Sequence, residues 1–216
     1  MELSVMLSML GSSLVFTFFI FFITLVGSLP LGVLIALARM SRIRVLSTIA
    51  KIYISFMRGT PLMLQLMFFM FAPYYLFDIP IDANWKYWAC SIGFILNYAA
   101  YFAEIYRSGI DSMPIGQYEA AEVLGYTKGR TFFKIILPQV IKRILPAVTN
   151  EVITLVKDTS LAFTLAYSEV FSLAKQISAS QTSFLPFVIA GVFYYVANYV
   201  VAFVMERFEK ALSYYR

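Results

Sequence analysis

Histidine is absent from this 216-residue chain, and cysteine occurs once, at Cys90. The first absence removes the commonest metal ligand and general base, and with them HExxH and serine–histidine chemistry. The second excludes an internal disulfide, a CxxC pair and a thiolate metal cage. Charge is scarce as well: 13% of residues are charged against 61% hydrophobic, well outside soluble averages. Low-complexity tracts and inverted repeats are also missing, although a self-contained secondary transporter would often show two related halves.

What is present is a succession of apolar runs of membrane-spanning length, so the expected fold is an all-α integral membrane domain covering residues 1–216. The opening MELSVMLSMLGSS has no Arg or Lys, so it lacks the basic n-region of a secretory signal. The first run, near Ser12 to Ala38, is therefore read as a retained span that Pro30 kinks. The second runs near Tyr53 to Phe77 and opens with the kinked start Arg58-Gly59-Thr60-Pro61. The third runs near Trp85 to Tyr106, with Trp85 and Trp88 at interfacial depth. The fourth, near Pro146 to Phe171, is unusually polar. A short outer loop, Ala174 to Ser183, leads to the fifth, near Phe184 to Met205.

Five spans place the termini on opposite faces, and the cations choose between them. Arg39, Arg42, Arg44, Lys51 and Arg58 share a side with Arg107, with Lys128, Arg130, Lys134, Lys142 and Arg143, and with Arg207, Lys210 and Arg216. Only Lys86 and Lys175 lie opposite. The positive-inside rule then puts the N-terminus outside and the C-terminus in the cytoplasm. The net charge of +5 is explained by this topology rather than by nucleic acid.

One long polar segment interrupts the oily chain, a cytoplasmic loop at about residues 109–146 between the third and fourth spans. Pro114 suits a first helical turn, where its missing N–H costs nothing. Gln117, Glu119, Ala120, Ala121, Glu122 and Leu124 favour helix, and Gly125 suits a left-handed C-terminal cap. Ala120 and Ala121 keep this short helix low, so that a groove of another protein can close on it. Beyond it, Phe132, Phe133, Ile135, Ile136, Val140 and Ile141 are expected to face lipid. Lys128, Arg130, Lys134, Lys142 and Arg143 would face water and anionic head groups, with breaks or kinks at Pro138 and Pro146.

Ionisable and amide side chains inside the spans are costly and point to function. Asn97, Tyr101 and Glu104 follow i, i+4, i+7 and share one face of the third span. Glu151, Thr154 and Asp158 follow i, i+3, i+7 on the fourth, beside Asn150. Turned inward, the two faces would line a cavity suited to an ammonium or guanidinium group. The competing structural roles are an ion pair of Glu104 with Arg107, neutralisation of Asp158 or Glu151 by Lys157, and interhelical bonding by Asn97 and Asn150.

Glu119-Ala120-Ala121, Gly125, Ile135, Leu137 and Pro138 fall at the spacing EAA-x3-G-x9-I-x-LP. Together with RGTPLMLQL (58–66) and NEVITLVKDTSL (150–161), this resembles the permeases of ABC importers of the polar amino acid uptake family. The resemblance covers about half the chain. It implies a type I importer in a bacterial cytoplasmic membrane, with two permeases forming the path, as a homodimer or with a close homologue. Two ATPase subunits would bind beneath, and an extracytoplasmic solute-binding protein would deliver an amino acid. It implies too that Glu119, Ala120, Ala121 and Gly125 form the ATPase-coupling helix. Tyr98 and Ala99 stand where smaller residues are expected. GYTKGRT (125–131) lacks P-loop spacing and a preceding strand. No cofactor is therefore expected on this chain, and ATP and magnesium would bind the partner, driving alternating access. The favoured cargo is cationic (arginine, lysine or histidine), with glutamine or cystine as further candidates. The alternative is an ATP-independent channel or secondary transporter in which the loop is a mere connector.

Overall fold

The structure, a computed structural model, describes residues 2–212, so the terminal Arg216 counted among the cations lies outside it. Every regular element among the described residues is helical. The first helix, α1, runs Leu3–Arg39 without interruption, with Pro30 inside it. It starts before Ser12 because nothing between Leu3 and Ser12 breaks a helix except a tolerated glycine. Its 37 residues rise about 55 Å.

The second apolar run is not one helix. It is split into α2 (Arg44–Gly59) and α3 (Leu62–Phe77), which meet at a 110° bend. Pro61 has no N–H and pushes the residue before it out of helical space, and Thr60 is extended at φ −118°, ψ 148°. Arg44, Lys51 and Arg58 thus ride on a helix rather than in a connection.

The next helix, α4, runs Trp85–Asp111 and forms the spine of the fold. Its most extensive partner is α1, and small residues let the two backbones close. A Cβ on Gly27 would come within 2.7 Å of Ile95, and one on Gly32 within 2.9 Å of Phe102. Around α4 lies the main core, where Ile20, Phe21, Leu66, Phe94, Tyr98, Phe102, Leu155 and Tyr167 are buried together.

The cytoplasmic loop holds α5 (Ile115–Val123) and the single turn α6 (Lys128–Thr131). A π-helical segment, Phe132–Ile136, then feeds α7 (Leu137–Asp158). Pro138 sits in the first turn of α7, and Pro146 lies inside it without ending it. Two of the residues expected to face lipid do not: Ile136 and Val140 are buried against Met113 at the end of α4. The π segment and the proline-started helix rotate that apolar face onto α4, leaving Phe133 and Ile141 exposed.

The fourth span also ends earlier than its composition indicates. After Asp158 the chain tightens into a 3-10 segment, Thr159–Leu165, and turns through Ala166 in left-handed geometry. The expected outer loop is instead a helix, α8 (Val170–Gln181), capped by Glu169. It packs with the start of α1 and the start of α9 (Leu185–Ala211) around Met6, Leu10, Val170, Ala174, Ile177 and Ile189.

Among the described residues, α1 and α9 are long and apolar enough to cross a membrane, and α2 with α3 adds a third crossing if the bent pair counts as one. The helices α4 and α7 have the length but spend part of it on the polar residues that form the site.

Candidate functional site: a cavity at the broken helix and a coupling surface

Where the α2–α3 break meets α4 and α7, a cavity of ≈ 360 Å³ is lined by Thr60, Pro61, Leu62, Asn97, Tyr98, Tyr101, Glu151, Thr154 and Asp158. Two helical stripes, local in sequence, thus converge on one space. Asn97 and Tyr101 come from α4, and Glu151, Thr154 and Asp158 from α7. Glu104 and Asn150 do not reach it. Glu104 accepts two hydrogen bonds from Arg107, at 2.5 and 3.1 Å, and Arg107 also reaches Asp111 at 2.6 Å. Asn150 is exposed, and its backbone carbonyl accepts the Thr154 hydroxyl at 2.9 Å.

Tyr98, bulky where a smaller residue was expected, donates its hydroxyl to Asp158 Oδ2 at 2.7 Å. Lys157 is exposed and makes no ion pair with Asp158 or Glu151. Among the described residues no lysine or arginine stands within ion-pairing distance of either carboxylate. Arg58 instead lies over the Tyr101 ring, 5.3 Å from its centroid, at the edge of the cavity. Two carboxylates thus face a shared space without an ion-pair partner among the described residues, and an oppositely charged group entering it would supply one.

The break itself was visible only as a kink, yet it supplies the third wall. A broken helix at membrane depth leaves backbone carbonyls that must be met internally. Thr60 Oγ1 donates to Phe56 O at 2.9 Å. Gln65 Nε2 lies 3.0 Å from Met57 O, 3.2 Å from Thr60 O and 2.7 Å from Thr60 Oγ1. Asn97 Nδ2 donates to Met57 O at 3.2 Å and to Gln65 Oε1 at 2.9 Å. Asn97 therefore combines both roles considered for it, lining the cavity and bonding between helices.

On the loop side, α5 begins after Pro114, which is its N-cap rather than a member of the first turn. It ends in a Schellman arrangement: Gly125 at φ 77°, its N–H on Glu122 O at 2.9 Å, and Tyr126 N–H on Ala121 O at 2.9 Å. Ala121 is buried, whereas Glu119 and Ala120 are exposed. The helical spacing puts Ile115, Glu119, Ala120 and Val123 on the outward face. Ile115 is 74% exposed and Val123 88%, two large apolar residues that the motif alone does not point to. The inner face is fixed to α7 by paired amides: Gln117 Nε2 donates to Gln139 Oε1 at 3.0 Å, and Gln139 Nε2 returns to Gln117 Oε1 at 2.9 Å.

Residues 28–214 match the family of binding-protein-dependent transport system inner membrane components. The chain is 38% identical to the arginine transport system permease protein ArtQ of Bacillus subtilis over 86% of this chain and 84% of that one. It is 33% identical to the L-cystine transport system permease protein TcyB of the same organism, over 95% and 87%. Its fold is similar to a crystal structure of an amino acid ABC transporter with histidines, at TM-score 0.85 and 31% identity over 94% of each chain.

Proposed function

The chain belongs to the family of binding-protein-dependent transport system inner membrane components, and on that premise we propose that it carries a cationic amino acid inward by alternating access. It is the permease subunit of an amino acid ABC transporter and a multi-pass membrane protein. In the finer reading it crosses a bacterial cytoplasmic membrane five times, with the broken α2–α3 pair as one crossing, the N-terminus outside and the loop of α5 in the cytoplasm.

Asn97, Tyr101, Glu151, Thr154 and Asp158, with Tyr98 and Thr60, form the substrate path. The observation that carries the charge preference is that Glu151 and Asp158 share a cavity and, among the described residues, neither has a lysine or arginine within ion-pairing distance. The name of the arginine relative agrees with a cationic cargo, and that of the L-cystine relative keeps a neutral one as the second reading. A second permease copy or close homologue closes the open side of the path, and a solute-binding protein delivers the cargo. Two ATPase subunits, holding ATP and magnesium, dock on α5 through Ile115, Glu119, Ala120 and Val123. The buried Ala121 and the cap at Gly125 hold that helix in shape. Nucleotide binding must favour one permease conformation over the other to drive the cycle.

A thermal-shift screen of the purified permease–ATPase complex against the twenty amino acids tests the reading, because a ligand of the folded state raises its apparent stability. Stabilisation by arginine, lysine or histidine, and not by neutral or acidic amino acids, is expected. Stabilisation by glutamine or cystine alone would replace the cationic reading with the neutral one.

A further inference from the structure

The amide of Gln65 is buried at the break between α2 and α3, one layer behind the cavity: Gln65 is not among the lining residues, but Thr60 and Asn97, which it touches, are. Its position is costly unless every polar atom is used, and every one is. The two Nε2 hydrogens serve three acceptors, Met57 O, Thr60 O and Thr60 Oγ1, while Oε1 accepts from Asn97 Nδ2. Met57 O is the shared node, taking hydrogen bonds from both amides. The end of α2, the start of α3 and the middle of α4 are therefore joined through two side chains.

The groups so held are continuous with the cavity. Thr60, Pro61 and Leu62 lie in the stretch of chain between Met57 and Gln65, and all three line it. Asn97 is in the same lining and gives both of its amide hydrogens to the break. On its other flank the stretch is tied to α4 by Arg58 over Tyr101, two residues before Thr60. An apolar residue at 65 would leave Met57 O and Thr60 O short of donors and Asn97 Nδ2 short of an acceptor, at a depth where water does not replace them.

We propose that Gln65 is a positioning residue for transport: its amide, locked to Asn97, sets the conformation of Thr60–Leu62 and so the shape of the cavity wall that meets the substrate. The inference rests on the transport reading above and adds to it a residue that touches no substrate. Gln65 acts on affinity through the backbone of the break, so its loss changes the wall before it changes the fold.

The test uses the whole importer, with ATPase and binding-protein partners, reconstituted in liposomes. The wild-type arm decides the transport reading: ATP-dependent uptake of the amino acid that shifts the complex must be seen there. The variant arms are Gln65→Leu and the isosteric Gln65→Glu, which keeps an acceptor for Asn97 but has no hydrogens for Met57 O and Thr60 O. For assembled complex, the KM for uptake should rise by about tenfold or more, with substrate-free ATP hydrolysis within about twofold of wild type. Hydrogen exchange gives a reading independent of transport, with amides of residues 58–66 exchanging about tenfold faster in the variants. If Gln65→Leu does not assemble, Gln65→Glu carries the same criteria. An unchanged KM together with unchanged exchange over 58–66 in either assembled variant would overturn the proposal.

Discussion

Tyr98 and Asp158, sixty positions apart, meet through a 2.7 Å hydrogen bond that joins the middle of α4 to the last turn of α7. It holds the Asp158 carboxylate at the cavity, in place of the exposed Lys157 next to it in sequence. Hydrogen bonds to a charged group contribute about 1.5–3 kcal/mol. Tyr98→Phe keeps the ring and removes only that bond. The expected result is an assembled complex whose KM for uptake rises roughly tenfold as the carboxylate loses its fixed position. Uptake kinetics on the reconstituted transporter check this, and an unchanged KM would mean that the bond serves only to join the helices.

Removing the charge should discriminate between substrates. Asp158→Asn and Glu151→Gln preserve shape while deleting one negative charge each. Uptake of a cationic amino acid should fall about tenfold or more, and that of a neutral one much less, since only the cation loses a charged partner. Competition assays with arginine and glutamine read the difference directly. Equal losses for both would assign the carboxylates a structural role.

The proposed docking surface on α5 predicts a separable defect. Ile115 and Val123 protrude from α5 with little of their surface covered, so Val123→Asp or Ile115→Asp costs the permease itself little stability. Bound into a groove, however, each would bury a charge, and ATPase binding should weaken by at least about 2 kcal/mol. Co-purification with the ATPase measures this. Gly125→Val attacks the same helix from its end, because φ 77° is open to glycine and strained for a β-branched residue. It should reduce ATPase stimulation without affecting membrane insertion.

Local signals were legible and tertiary ones were not. The ends of α5 were readable because Pro114 and Gly125 act on their own backbone. The cavity was readable because Asn97 and Tyr101, like Glu151, Thr154 and Asp158, share helix faces by spacing alone. The split of the second run was hidden because apolar residues continue across Tyr53–Phe77. The side chains of Thr60, Gln65 and Asn97, brought together from three segments, meet the carbonyls that a full break at Thr60–Pro61 leaves open. Likewise Ile136 and Val140 look lipid-facing until the π segment turns them onto Met113. The start of α8 depends on the buried Glu169, whose partners lie on α9 as well as on α8 itself.

The approach of α4 to α7 makes a prediction about packing alone. A Cβ added to Gly109 would collide with Ile144 Cγ2 and crowd Val140, at the base of the cytoplasmic loop. Gly109→Ala should therefore cost about 1–3 kcal/mol by overpacking. The cost should be largely relieved in the double variant Gly109→Ala/Ile144→Ala, where the colliding methyl groups are gone. The two substitutions touch, so their effects should not add. Melting temperatures of the four proteins in detergent give the coupling, and simple additivity would show that the helices shift apart instead.

Glu169 makes the sharpest prediction about stability. Its side chain is fully buried, yet its two oxygens accept from Phe171 N–H at 2.6 Å, Ser172 N–H at 2.6 Å and Tyr194 O–H at 2.7 Å. The first two cap α8, and the third pins that cap to α9. One side chain thus ties the outer helix α8 to the last helix. Tyr194→Phe removes a single hydroxyl and should cost about 1–3 kcal/mol, the range for leaving a buried polar group without its partner. Glu169→Ala removes the cap and leaves two backbone donors unpaired, so its cost should exceed that of Tyr194→Phe by at least about 1 kcal/mol. Because the lost bonds are shared, Tyr194→Phe should add little in the Glu169→Ala background. Thermal unfolding of the three variants decides it. A Tyr194→Phe effect of full size in the Glu169→Ala protein would mean that the tyrosine hydroxyl acts mainly through Thr159 and Thr17, which also bond it, and that the cap and the α8–α9 junction are independent.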